Sequence, residues 1–256
     1  MLDFYFKDFK LDFIIIGVQK AGTSALHSYL DDHSNIAMSR PKELHFFDDD
    51  KYFLNIKPNY NILKSFFPKK ISKNKIYGEA TPIYFYWNNC LERIYKYNKK
   101  IKLILILRNP IDRAFSHWNM EVSKNNETRS FEECVKKEIR QINSGKKKKH
   151  RVNSYVERGL YYEQLNHLFS IFEKDQIFIV KYENFLNDNF IILNEICEFL
   201  GLPLINAKQL NKKRENKIVY QSTINSEIKK ELIDYFLPNI QNLEKELGWD
   251  CNDWKK

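Results

Sequence analysis

No stretch of this chain stays apolar for the roughly 20 residues that a membrane-spanning helix requires, and the branched-apolar runs, such as IKLILIL at 101–107, are far shorter. The N-terminal segment MLDFYFKDFKLDF carries charges through what would be the apolar core of an export signal, so a soluble, unexported, cytoplasmic protein is expected. Cysteine is sparse. Cys90, Cys134, Cys197 and Cys251 are scattered, with no CxxC pair and no histidine at ligand spacing, which argues against a disulfide framework or a zinc site; no metal is expected. Glycine and proline number only seven each, while 43% of residues are hydrophobic and 15% aromatic. With 256 residues, that composition excludes wholesale disorder and suits one domain over residues 1–256 with a substantial core. Acidic residues are in deficit, 33 against 42 basic ones, so the net charge is +9 and the partner class to consider first is anionic.

Segments 11–17 (LDFIIIG), 101–107 (IKLILIL) and 175–181 (DQIFIVK) read as buried strands of a parallel sheet, with a weaker strand at 75–80 (KIYGEA). Each of the three strong segments is followed by a helix signal. After the first, Leu26, Tyr29 and Leu30 share a helical face; after the second, Asn109 suits a cap, Pro110 the first helical position and Asp112 the positive end of the dipole. Further helices are expected near 86–98, 127–142, 158–172, 188–200 and 225–247. Strand and helix in alternation imply βαβ crossovers, hence an α/β fold with a P-loop-like parallel sheet flanked by helices on both faces. No internal repeat is visible. The lysine-rich run Lys146 to Arg151 and the polar stretch Asn206 to Lys217 read as loops.

Gly17-Val-Gln-Lys-Ala-Gly-Thr-Ser24 lies where a strand ends and a helix begins, the place where backbone N–H groups and the helix dipole converge on an anion. The P-loop pattern requires lysine directly after its second glycine. Here Thr23 takes that place and Lys20 lies inside the loop. The strand at 101–107 ends in Arg108 and Asn109 rather than in a carboxylate that would hold Mg²⁺ for a nucleoside triphosphate. Cations and amides, rather than a metal, are thus expected to bind the anion.

Taken in order and spacing, FIIIGVQKAGTSAL, PKELHFFDDD, GEATPIYF, LILILRNPIDRAFSHW and RGLYYEQLNHLFSIF resemble the sulfotransferases that use 3′-phosphoadenosine 5′-phosphosulfate (PAPS), and most of all the heparan-sulfate-type and bacterial carbohydrate enzymes. The resemblance runs from Phe13 to Phe185, and FLPNIQNLEKELGWDCNDW is similar to the family's C-terminal helix and tryptophan. It implies the sulfotransferase fold and transfer of a sulfuryl group from PAPS to a hydroxyl or amine of a small-molecule or glycan acceptor, with no specific nucleic acid as partner. By this resemblance Lys20, Ala21, Gly22, Thr23, Ser24 and Ala25 hold the 5′-phosphosulfate, and Arg108 and Ser116 the 3′-phosphate. Chemistry agrees: Lys20 can neutralise charge on the leaving oxygen, and the fork of Arg108 suits a phosphate.

KELHFF resembles the segment that carries the base in glycan sulfotransferases. Glu43 is then the general base, with its carboxyl raised towards working pH by the flanking Phe46 and Phe47, and His45 supports it. Lys42 can oppose that shift or pin the loop. One departure is clear: the glycan enzymes carry EKT or EKS where this chain has Glu79-Ala80-Thr81, so Lys42 or Arg40 must supply the missing charge or Lys20 acts alone. Lys42, Glu79 and Tyr161 are candidate acceptor contacts, although Tyr155, Tyr161 and Tyr162 fit packing equally well. Two rival readings stand beside this one: a P-loop small-molecule kinase, and a non-enzymatic basic module that binds an anionic polymer through the lysine run.

Overall fold

Burial explains the sheet. Every residue of Phe13–Gly17 (β1) is buried, as are Ile76–Ala80 (β3) and Lys102–Leu107 (β4) beyond their first residues. Strands covered on both faces belong to parallel sheets. Ile36–Met38 (β2) and Ile177–Lys181 (β5) complete five strands in the order β2-β3-β1-β4-β5, each paired in parallel with its neighbours. The computed structural model describes residues 9–55, 57–146, 148–205 and 223–256. Lys147 of the lysine run and the stretch Asn206 to Lys217 lie outside them.

Phe13 pairs with Gly78 across β1 and β3, and the phenyl ring lies over the glycine so closely that a Cβ there would fall 2.2 Å from Phe13 Cζ. Only glycine admits that ring. The register thus depends on a residue that contributes nothing to hydrophobic periodicity.

The described residues gather into two compact units. One holds the sheet together with Thr23–Asp31 (α1), Asn61–Lys64 (α2) and Cys90–Tyr97 (α3). Leu26 and Leu30 of α1 are buried as the periodicity indicates, and α1 packs on β1, β2 and β3; Tyr29 is half-buried, its ring edge-on to Phe185.

The other unit contains Pro110–Ser123 (α4), Phe131–Asn143 (α5) and Tyr161–Phe169 (α6). After β5, Tyr182–Asn187 (α7) and Asn189–Leu200 (α8) return to the sheet unit, whereas Ser226–Leu247 (α9) belongs with α4 and α6. Asn109 caps α4 by accepting from the N–H groups of Ile111 and Asp112, with Pro110 at the first position. Ser130 and Glu133 form a reciprocal capping box that starts α5, later than the expected 127, because Glu127 accepts the backbone N–H groups of Thr128 and Arg129 and holds them in a bend.

The four expected strands and the principal helices are present. Strand β2, with three residues, and α2, with four, are too short to show a period. The helix expected over 158–172 divides into a 3₁₀ turn at Glu157–Gly159 and then α6. Among the described residues, no helix is long and apolar enough to cross a membrane.

Candidate active site

In an all-parallel sheet the carboxyl ends of all strands share one edge, and the crevice where strand order reverses is the usual place for a ligand. Here β3 and β4, consecutive in sequence, flank β1. The segments that leave this edge are 18–22 after β1, 39–49 after β2, 81–89 after β3 and 108–109 after β4. They contain VQKAG, PKELHFF, TP and RN.

Gly22 is the N-cap of α1 at φ +82°, a conformation that favours glycine, and an added Cβ would meet the Tyr182 ring at 2.9 Å. No side chain caps α1, and its first turn carries no acidic residue. Thr23 and Ser24 open the helix, so its first-turn N–H groups and dipole are presented to an anion. This fits a phosphosulfate.

Lys20 also has positive φ, 74°, and its carbonyl is held within its own unit. Arg108 Nη1 donates to Lys20 O at 2.9 Å, and the Tyr161 hydroxyl donates to Arg108 O at 2.8 Å. Arg158 is buried; its Nη1 donates to Gln19 Oε1 at 2.5 Å and its Nη2 to the carbonyls of Arg151 and His150. On α4, Ser116 is buried rather than facing solvent. The neighbouring His117 is fully buried, and burial together with the charges of Arg158, Arg113, Lys20 and Lys124 holds its imidazole well below the usual range, hence neutral. Sequence reasoning placed Lys20 and Arg108 in one site and missed Arg158, although it lies within a quoted motif; a lone arginine before a helix carries no pattern that marks it.

The segment after β2 is held by the segment after β3. Glu43 N donates to Ala80 O at 3.1 Å, and Phe46 N and Phe47 N both donate to the Tyr84 hydroxyl, at 3.0 and 3.3 Å. With Phe46 and Phe47 anchored in the core, Glu43 and His45 take left-handed backbone angles, φ 63° and 52°. Such angles are costly for non-glycine residues and gather at functional sites.

Lys42 Nζ donates to Glu43 Oε1 at 2.6 Å, and the other Glu43 oxygen lies 3.7 Å from His45 Nε2. His45 Nδ1 lies 3.0 and 3.2 Å from the two oxygens of Asp48, which is buried. Asp48, three residues beyond His45 in HFFDDD, is the group that reading by motif overlooked: three aspartates in a row give no reason to prefer the first. Arg40 turns instead to Asp31 at 2.9 Å and is largely exposed.

The sulfotransferase domain family matches residues 10–239 of this chain. The chain belongs to that family. It is 25% identical to the membrane-associated sulfotransferase kil1 of Dictyostelium discoideum, over 93% of this chain and 65% of that protein. It is 30% identical to human heparan sulfate glucosamine 3-O-sulfotransferase 5, over 74% of this chain and 53% of that one. The chain therefore spans between half and two thirds of the length of these curated relatives. The crystal structure of a sulfotransferase from Alicyclobacillus acidocaldarius superposes with a TM-score of 0.79 at 25% identity, covering 97% of this chain and all of the other. The small-molecule kinase and the non-enzymatic basic module give way to this membership.

Within the sulfotransferase family pattern, three expectations need revision. Glu43 is not buried by its phenylalanines: its side chain is 37% exposed and ion-paired, and the two rings point into the core instead. The carboxyl that burial pushes up, to about 7, is that of Glu79, which is fully buried and so presents no surface to an acceptor. Tyr161 likewise is buried, its hydroxyl engaged by Arg108 O and its ring against Trp254. It packs and positions. Of the two cations offered in place of the family lysine at Ala80, Lys42 stands at Glu43 and Arg40 is engaged elsewhere.

Proposed function

We propose that this protein transfers the sulfuryl group of PAPS to a hydroxyl or amine of an acceptor, and that the acceptor is a carbohydrate. The observation that carries the chemistry is the array of Lys42, Glu43, His45 and Asp48 on the segment leaving β2, with two of its members in left-handed backbone. Family membership supports the co-substrate, and the uncapped start of α1 suits its 5′-phosphosulfate.

In the step, the acceptor oxygen or nitrogen forms a bond to sulfur while the bond from sulfur to the bridging phosphate oxygen breaks, and the acceptor proton passes to Glu43. Lys20 neutralises the charge that grows on the leaving oxygen, where a fixed cation contributes most. Arg108 and Ser116 hold the 3′-phosphate. His45 is oriented by Asp48 beside Glu43, and Lys42 contributes the positive charge that Ala80 cannot. A carbohydrate acceptor is supported by the KELHFF segment and by the 3-O-sulfotransferase relatives.

Incubation with labelled PAPS and a panel of glycans, lipids and small alcohols tests the reading. Mass gain of one sulfate on a glycan is the expected result. Label transferred only to non-carbohydrate acceptors would overturn the acceptor class, and no transfer to any acceptor would overturn the activity.

A further inference from the structure

The transfer step uses no side chain of the GEATP segment, and Glu79 is the titratable residue in it. Its side chain, at the end of β3, is entirely buried, an expensive place for a carboxyl unless it organises something. Thr81 Oγ1 donates to Glu79 Oε2 at 2.8 Å, and the same Thr81 oxygen accepts from the backbone N–H of His45 at 3.5 Å, a long contact. Three residues further on, the Tyr84 hydroxyl accepts Phe46 N and Phe47 N. Between these two hydroxyls they meet three successive amides of the segment that bears Glu43, while Ala80 O takes the amide of Glu43 itself.

The Thr81 hydroxyl has one proton, and donating it to Glu79 fixes the direction of that bond. Its lone pairs are then turned towards the His45 amide. Without an acceptor at Glu79 the hydroxyl is free to rotate and donate elsewhere, and its contact with the His45 amide is weakened.

We propose that Glu79 is a positioning residue for the base-bearing segment: through Thr81 it orients the hydroxyl that receives the His45 amide, and so keeps Glu43 and His45 in the geometry used for proton transfer. This rests on the reading of Glu43 as the base. Glu79 touches neither substrate, and its influence passes through Thr81. Asp48 and His45 act electrostatically on the same carboxyl with opposite signs, and the Thr81 and Tyr84 hydroxyls both favour its ionised form. Glu79 is therefore coupled electrostatically to the His45–Asp48 pair.

The test compares Thr81→Val, Thr81→Ser, Glu79→Ala and Glu79→Gln in the full chain, with kcat, KM for PAPS, affinity for the product nucleotide 3′-phosphoadenosine 5′-phosphate (PAP) and thermal stability measured for each. Thr81→Val keeps the shape of the side chain while removing both hydrogen bonds, so it stays informative if Glu79→Ala fails to fold. The expected result is a kcat reduced about tenfold or more in Thr81→Val and Glu79→Ala, with KM for PAPS and PAP affinity within about twofold of the parent. Thr81→Ser and Glu79→Gln, which restore the hydroxyl and an acceptor, recover most of that loss.

A folded Thr81→Val with parental kcat overturns the proposal, as does a loss of PAP affinity in proportion to kcat, which would indicate general packing. The reading of the base fails separately. If Glu43→Gln transfers normally, Glu43 is not the base whatever Thr81→Val does, whereas a slow Glu43→Gln beside a normal Thr81→Val removes only the role of Glu79.

Discussion

His45 directs Nδ1 at the buried carboxylate of Asp48, 3.0 Å away, while its opposite nitrogen faces Glu43 at 3.7 Å. Because Asp48 is almost wholly removed from water, its charge is poorly screened and holds the ring in one orientation with the proton on Nδ1. The imidazole then presents Nε2 towards the more exposed Glu43. This arrangement makes Glu43 and His45 a unit, and it gives a buried aspartate a role in a reaction it never touches.

Asp48→Asn should therefore lower kcat about tenfold or more while leaving PAP affinity unchanged, because the amide cannot anchor Nδ1–H by charge. Glu43→Gln should reduce transfer by roughly 10²–10⁴, the usual contribution of a positioned base, with nucleotide binding intact. Combining Glu43→Gln with His45→Ala should cost less than the product of the single losses, since the two act together. Steady-state kinetics with a confirmed acceptor and calorimetric PAP binding check all three; normal turnover in Glu43→Gln would remove it as the base.

PAP should raise the melting temperature far more than adenosine monophosphate does, because a ligand that binds only the folded chain stabilises it by mass action and only PAP carries the 3′-phosphate. Arg108→Ala should cost about 2–3 kcal/mol of PAP affinity through loss of a charge-assisted bond. It also removes the bond to Lys20 O, so part of the loss arises in the loop itself. Equal shifts from both nucleotides would place the 3′-phosphate elsewhere.

Lys20→Ala should depress kcat more than PAP affinity, since its charge is needed most as the leaving oxygen develops. Its ammonium matters for the step, while its left-handed backbone is held by Arg108 and survives the change. A higher PAPS dissociation constant with normal kcat would assign Lys20 to ground-state binding.

The carboxyl of Glu79 is raised from 4.5 to about 7 by burial, so between those values the folded chain holds a proton that the unfolded chain has released. Stability should accordingly fall as pH rises through this window, by up to about 3 kcal/mol, and level off above 7. Glu79→Gln should flatten that slope. Denaturant midpoints between pH 5 and pH 8 for the two proteins provide the measurement; identical slopes would show that Glu79 ionises normally.

Apolar patterning and cap residues by themselves determined four of the five strands, the buried face of α1 at Leu26 and Leu30, and the Asn109-Pro110 start of α4, because each follows from neighbours in sequence. The order of the motifs indicated the family and brought Lys20 and Arg108 into one account. Tertiary structure alone decided that Phe46 and Phe47 point inward while Glu43 remains partly in water. It also decided that Arg40 serves Asp31 and Lys42 serves Glu43, and that the carboxyl pushed up by burial is that of Glu79. Glu79 and His45 are 34 positions apart, and the hydroxyl of Thr81 that links them is ordered only when β2 and β3 pair and bring their carboxyl ends together. Such a contact depends on long-range strand pairing and the exclusion of water, and neither leaves a period in the sequence.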